Sequence, residues 1–305
     1  MVPTDLLVLG DCNPDLLVSG GDVEPVFGQV ERIVDDARLV VGGSGAITAC
    51  GAARLGLRVR LAAVVGDDPL GRFMLDALAE RGVDVSAVLV DGTRGTGISV
   101  VLVRGDDRAI LTALGTIETL SADDVGPDLL ASARHVHVSS FFLQHGLRPG
   151  LAARFEEARA AGVTTSLDPN WGPGGEWDGG LRDVLAVTDI LFVNAEEAKR
   201  IAELESVEAA AHDLARYGPT VVVKLGRQGA LVLERGRVVR AGAPSVAVVD
   251  TVGAGDSFAA GFLNGFLTGH RAEESLQLAV ACGSLSTRAP GGTAAQPTLD
   301  EALAT

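Results

Sequence analysis

Asp256 follows two glycines in the run Asp250-Thr251-Val252-Gly253-Ala254-Gly255-Asp256-Ser257-Phe258. The apolar residues Val246–Val249 before it predict a strand. After it, Phe258, Phe262, Leu263, Phe266 and Leu267 recur at helical spacing and predict a buried helix, with Gly261 and Gly265 allowing close backbone approach. A strand, a glycine-rich turn and a helix start leave backbone N–H groups open at the positive end of a helix dipole, which is an anion site. Gly253 and Gly255 let those amides reach a phosphate with no Cβ in the way. Asp256 falls in the first helical turn, where the dipole favours its ionised form. A carboxylate that only sat beside a bound phosphate would repel it. The placement makes chemical sense when the carboxylate takes a proton from a hydroxyl attacking that phosphate. A lone aspartate in a first turn ordinarily just stabilises its helix; the two glycines, the preceding strand and Asp250 favour the chemical role.

These residues need a frame, and the chain supplies one by alternation. Leu6–Leu9, Arg60–Val65, Val136–Val138, Thr164–Leu167, Ile190–Val193 and Val221–Leu225 read as strands. Ala46–Leu55, Leu70–Glu80, Leu151–Ala161 and Val207–Tyr217 read as helices. This predicts an α/β fold with a mostly parallel central sheet flanked by helices. Ligands in such sheets bind outside the carboxyl ends of the strands, and several predicted strands end there in Asp168, Asn194, Gly226 or Asp250. Two stretches break the alternation, Gly20–Val41 and Gly97–Leu114, the second with a hairpin signal at Gly105-Asp106-Asp107. They read as a small β-rich flap attached to the main sheet, the alternative being an ordinary edge hairpin. Gly172–Gly180 reads as a surface loop, and His135 and His137 as structural. Phe141 and Phe142 suit a pocket wall or the core. Arg104 and Arg108 on the flap suit either a substrate anion or solvent, and solvent is the preferred expectation.

Composition bounds the function. With 305 residues, 47% hydrophobic and 21% charged, the chain can bury a sizeable core. A net charge of −15 argues against nucleic-acid or anionic-membrane partners, which need clustered positive surface. Lys199 and Lys224 are the only lysines, so other cation chemistry falls to arginine. Cys12, Cys50 and Cys282 lie far apart without zinc-site spacing. No apolar run spans a bilayer and the first residues carry no basic region, so a cytoplasmic location is expected.

The Asp250–Phe258 run resembles the C-terminal signature of the ribokinase (PfkB) family of carbohydrate and nucleoside kinases. Gly42-Gly43-Ser44-Gly45-Ala46, Ala52-Ala53-Arg54-Leu55-Gly56 and Val65-Gly66-Asp67-Asp68-Pro69-Leu70-Gly71 are similar to its N-terminal signature. Asn13-x-Asp15, Asp168-Pro169-Asn170, Asn194-x-x-Glu197 and Leu225-Gly226-x-x-Gly229 fall in the family's order, so the resemblance covers essentially the whole chain, residues 1–305, as one kinase domain. It implies ATP-dependent phosphoryl transfer to a hydroxyl of a sugar-like molecule, with Asp256 as general base and Gly253, Ala254 and Gly255 as the anion hole. It implies that Asn13, Asp15, Gly42, Gly43, Ser44 and Asn170 bind the acceptor. Asn194, Lys224, Gly226, Gly229, Thr251, Gly253 and Gly255 would face the nucleotide. Glu197 and Asn194 would hold Mg2+, mainly through water, and Asp250 with the Arg288–Gly292 segment a monovalent cation such as K+. The flap, about 11–41 and 92–116, would be a lid over the sugar and a homodimer interface.

Ser44 and Ile47 stand where ribokinase has a lysine and an asparagine, so the resemblance does not extend to ribose as acceptor. Asp168-Pro169-Asn170 followed by Trp177 is more similar to fructokinase-type and ketodeoxygluconate-kinase-type members. Two alternatives stay open, a nucleoside kinase of the same family and a non-catalytic sugar or nucleotide sensor on the same scaffold. A P-loop kinase is excluded, because neither lysine follows a glycine. The Rossmann fingerprint fails at Thr48, where its third glycine belongs.

Overall fold

The computed structural model describes residues 4–104 and 107–305. Its strands are β1 (Thr4–Leu9), β2 (Asn13–Ser19), β3 (Asp36–Gly42), β4 (Val59–Gly66), β5 (Asp84–Asp91), β6 (Ile98–Arg104), β7 (Asp107–Ala113), β8 (Ala133–Val138), β9 (Thr164–Leu167), β10 (Ile190–Asn194), β11 (Thr220–Lys224), β12 (Ala230–Glu234) and β13 (Arg237–Ala241). The helices are α1 (Ser44–Arg54), α2 (Pro69–Glu80), α3 (Pro127–Ala131), α4 (Arg148–Ala160), α5 (Leu181–Leu185), α6 (Ala195–Ala202), α7 (Val207–Ala215), α8 (Ala254–Leu267), α9 (Ala272–Ser286) and α10 (Leu299–Leu303).

Nine strands form the main sheet in the order β13-β12-β11-β10-β9-β8-β1-β4-β5. It is parallel from β5 to β11; β12 pairs antiparallel with both β11 and β13 and so runs against the other strands. Side chains alternate along each strand, so the sheet feeds two cores. Leu6 and Val8 of β1 join the core built with α1, α2, α8 and α9, while Leu7 and Leu9 join the one built with α3 to α7. Burial on both faces explains why these strands read as unbroken apolar runs. Phe141 and Phe142 belong to the second core, packed edge to face. His135 and His137 are buried in β8 and bond to Thr164 and Ser166 of β9, and burial lowers each imidazole to about 3, so both are neutral struts.

A separate four-stranded sheet, ordered β3-β2-β6-β7, stands over the carboxyl ends of the main strands. The sequence places this flap on the main sheet; instead it pairs only within itself, with β2 parallel to β6. Of Gly20–Val41 only the last part, in β3, is strand. The predicted Gly105-Asp106 turn lies outside the described residues.

One predicted strand is absent. Val246–Val249 joins neither sheet, and the chain bends at Val249. Val249 and Asp250 instead donate their amides to Thr287 O at the end of α9. Val246 and Val248 line a cavity wall, so these apolar residues serve a surface rather than a ladder.

Candidate active site

The strand order reverses its sense at β1, with β8 on one side and β4 on the other, and the turn after β1 carries Asp11. The buried Asp11 carboxylate accepts from the amides of Ser44 (3.1 Å) and Gly45 (2.8 Å) and from Ser140 Oγ (3.1 Å). It thereby caps α1, whose N-cap residue Gly43 has no side chain to do so. Asn170, held at φ 59°, donates Nδ2 to Ser44 Oγ (2.6 Å) and Ser140 Oγ (3.0 Å). From above, Asn13 Nδ2 reaches Asp15 Oδ1 and Ser99 Oγ, each at 3.4 Å. Gly42 sits against Asp15 so closely that a Cβ would overlap its carboxylate. Asp11, Asn13, Asp15, Ser44, Ser99, Ser140 and Asn170 line a cavity of about 550 Å³ between the strand ends and the second sheet.

The glycine turn forms another wall of that cavity. Gly253 has φ 71° and lies 2.6 Å, measured from where a Cβ would be, from Gly292 Cα, so only glycine fits. It starts α8 without a side-chain cap; the Ala254 amide turns back to Thr251 O at 3.3 Å, and the Gly255 and Asp256 amides follow at the cavity wall. Asp256 follows in the first turn. Enclosure in the cavity wall is the main cause that raises its carboxyl to about 8, with the Asp168 charge adding to it; Lys224, and the hydroxyl of Ser44, oppose it. Asp15 is likewise raised to about 7, by burial first and then by the Asp11 charge. Enclosure and the neighbouring carboxylates thus act against the helix dipole, which favours the ionised form.

Lys224, at the end of β11, donates Nζ to Asp168 Oδ2 at 2.6 Å, and the two side chains are 15% and 4% exposed. Burial would lower this ammonium, but Asp168 and Glu197 raise it further, so it stays charged. Its Nζ is 3.3 Å from where a Gly255 Cβ would stand. Asn194 and Glu197 form a capping box on α6: Asn194 Oδ1 accepts from the Glu196 and Glu197 amides at 2.9 Å each, and Glu197 Oε2 accepts from Asn194 N at 2.8 Å. The acid is 3% exposed rather than solvent-facing, and both residues line the cavity. Burial raises the Glu197 carboxyl. Among the described residues no cluster of three or more His, Cys, Asp or Glu could hold a metal by itself. A lone acid and an amide suit Mg2+, which keeps its waters and leans on substrate phosphates.

A second cavity, of about 520 Å³, opens beside α9. Gly226, Gly229, Ala254 and the apolar Val246, Phe258 and Val280 line it. Lys224, Gly226, Thr251 and Gly255 line both cavities, so the two meet at the glycine turn. Asp256 belongs to the first cavity. Of the residues singled out from sequence, Asn13, Asp15, Gly43, Ser44, Asn170, Asn194, Glu197 and Gly253 also line that cavity. Gly42 and Asp250 line neither. Gly42 backs Asp15, and Asp250 ties the turn to the 288–292 segment by accepting from Val252 N (2.9 Å) and Gly291 N (2.8 Å).

Asp11, Ser140, Ser99 and Thr112 were not legible as site residues, although Gly10-Asp11 at a strand end was a usable signal. Asp168 is legible as a strand end and a motif member and Lys224 as a nucleotide-side residue, but their ion pair is not.

The family described as pfkB family carbohydrate kinase matches residues 3–299. The chain is 31% identical over 287 residues to a 2-dehydro-3-deoxygluconokinase of Bacillus subtilis, covering 86% of this chain and 85% of that one. It is 35% identical over 277 residues to an ATP-dependent ribose-1-phosphate kinase of Halopiger xanaduensis, covering 90% and 89%. Among solved structures, a protein of E. coli provisionally assigned as ribokinase II, in complex with ATP and Mg2+, superposes with a TM-score of 0.88 at 25% identity over 99% of this chain and 98% of that one.

Proposed function

This chain belongs to the PfkB family of carbohydrate kinases, and from that premise we propose that it transfers the γ-phosphoryl group of ATP to a hydroxyl of a sugar-like acceptor, with Asp256 as general base. The observation that carries this reading is the meeting of two cavities at Gly253–Asp256, one walled by polar groups and one by glycine and apolar surface. The acceptor lies in the first, its hydroxyls met by Asn13, Asp15, Ser44 and Asn170. The nucleotide lies in the second, with its terminal phosphate at the open amides of α8. Asp256 orients the attacking hydroxyl and takes its proton as the bond to phosphorus forms. Positioning and charge neutralisation do most of the work, since the transition state is loose. Mg2+, held through water by Glu197 and Asn194, supplies charge neutralisation on the phosphates when bound. We assign any monovalent-cation requirement to the Asp250 turn, where a carboxylate already braces two backbone segments. The second sheet acts as the lid. The test is acceptor-dependent ADP release across sugars, sugar acids, sugar phosphates and nucleosides with Mg2+ and K+ present. No ADP release with any acceptor class would favour a non-catalytic sensor.

The base assignment carries a pH signature. A group at about 8 in the free enzyme must lose its proton before it can accept one. kcat/KM should therefore climb about tenfold per pH unit below 8 and level off above it. A flat profile from pH 6 to 9 would contradict the assignment.

Lid strands present Asp15, Ser99, Arg108 and Thr112 to the cavity. By the two-residue alternation Leu16, Val18, Val100, Leu102 and Leu111 face away, and Leu111 is 62% exposed. We propose that this apolar face joins a second copy. Leu111→Lys should turn a dimer into a monomer in sedimentation; unchanged mass would refute the interface. No helix among the described residues is long and apolar enough to cross a membrane. We place the protein in the cytoplasm, on the support of its ATP chemistry and three buried free cysteines.

A further inference from the structure

We infer that the acceptor carries an anionic group, a carboxylate or a phosphate, and that Arg108 on the lid reads it. The inference rests on the kinase reading above. Solvent was the expected surrounding of both lid arginines, and the structure separates them. Arg104 is paired with Glu24 at 3.2 Å. Arg108 sits on β7 opposite Val103, on the same face as Ile110 and Thr112, and lines the acceptor cavity. Its Nη1 crosses to Thr251 Oγ1 at 2.6 Å. The described residues thus give this guanidinium a neutral hydroxyl, not a carboxylate, as its side-chain partner.

That is an unusual economy of charge for this wall. The cavity already holds Asp11, Asp15 and Asp256, and the one other cation lining it, Lys224, is bonded to Asp168. A neutral sugar asks only for hydroxyl partners, which Asn13, Asp15, Ser44 and Asn170 provide. It offers a guanidinium nothing that water does not, and closure of the lid would strip that water from Arg108. An anionic acceptor reverses both objections. In a chain of net charge −15, an anion must be held by a local device rather than by overall charge, and Arg108 is one that stands apart from the α8 amides. Arginine presents a planar fork that matches carboxylate or phosphate oxygens two at a time, and Thr251 holds that fork in place until the anion arrives. The nucleotide is the less suitable anion, because Arg108 lines the cavity beneath the lid and not the one beside α9. The charge of Arg108 is also felt at Asp15, an acceptor-side group.

The test is steady-state ADP release by the full chain with Mg-ATP and three sets of acceptors: neutral hexoses and polyols, sugar acids, and sugar monophosphates. Wild type, Arg108→Gln and Arg108→Lys are compared. Wild type should prefer one anionic set over the neutral one, and which set it prefers identifies carboxylate or phosphate. Arg108→Gln should lower the anionic-to-neutral ratio of kcat/KM by about 10- to 150-fold, as loss of a charge-assisted bond does, with the loss in KM and partial recovery in Arg108→Lys. Preference for neutral acceptors would overturn the inference while leaving the kinase reading intact. So would an Arg108→Gln loss equal for every acceptor and seated in kcat, which would put the guanidinium on the nucleotide. Absence of turnover with all three sets would sink the kinase reading and this inference with it.

Discussion

Asp256→Asn should lower kcat by about a thousandfold, within the range a positioned base contributes, while ATP and acceptor still bind. Asparagine keeps the shape and hydrogen-bonding reach of the side chain but cannot take up the hydroxyl proton. The loss therefore belongs in kcat rather than in the dissociation constants, which calorimetry on the variant would measure directly. The same variant has an opposite effect on stability. The wild-type carboxyl titrates at about 8 in the folded protein, mainly because it is enclosed, against 3.8 when unperturbed. As pH rises from 4 to 8 the unfolded chain ionises this group and the folded one resists, so wild type steadily loses stability from it. Asp256→Asn has no such loss. Its melting temperature should pull ahead of wild type as pH is raised towards 8, then keep a constant lead. An active site that costs stability is the expected companion of a misplaced-looking charge. Equal melting curves at all pH values would mean that the carboxyl is not enclosed.

Lys224→Met is the second large effect, and it divides into two parts. Lys224 and Asp168 are 2.6 Å apart and almost fully buried, so removing the lysine strands a buried carboxylate. Breaking such a pair typically costs about 3–5 kcal/mol. Activity should fall as well, by about 10²- to 10³-fold, because the ammonium lies over Gly255 where the transferred phosphoryl group must pass, and a positioned charge there is worth that much. The double variant Lys224→Met with Asp168→Asn separates the two parts. It should regain most of the stability, since no bare charge remains, and none of the activity. Recovery of both would reduce Lys224 to a structural partner of Asp168. Retention of activity in the single variant would remove it from the reaction altogether.

How much of this could be read beforehand differs from segment to segment, for physical reasons. Strands buried on both faces, such as Leu6–Leu9 and Ile190–Val193, announce themselves as apolar runs between turn residues. The glycine turn was equally plain, because at Gly253 a positive φ and the contact with Gly292 leave no other residue type free to stand there. Val246–Val249 misled for the same reason that the other runs informed: a valine-rich stretch reads as strand whether it packs into a sheet or lines a cavity, and composition does not register the missing partner. The second sheet was visible as a break in the pattern, but its independence from the main sheet was not, because pairing of β2 with β6 joins residues some 85 positions apart (Asp15 with Ser99). Asp11 and Arg108 illustrate the remaining gap. Each owes its place to a long-range contact, Asp11 to the amides of α1 and Arg108 to Thr251, and neither contact leaves a mark in local sequence. Asn194 and Glu197 are the converse case. The resemblance marks them as site residues; the structure also joins them in a capping box, and the same two side chains line the cavity, so the cap and the site are one device.

The account turns on transfer of a phosphoryl group to an alcohol beside Asp256. Phosphorus NMR on a reaction of wild type with Mg-ATP and its preferred acceptor tests that most directly. One new phosphomonoester signal should grow in step with ADP, and it should be all but absent with Asp256→Asn at equal enzyme and time. Growth of inorganic phosphate in place of the ester, or an ester formed equally fast by the variant, would contradict it.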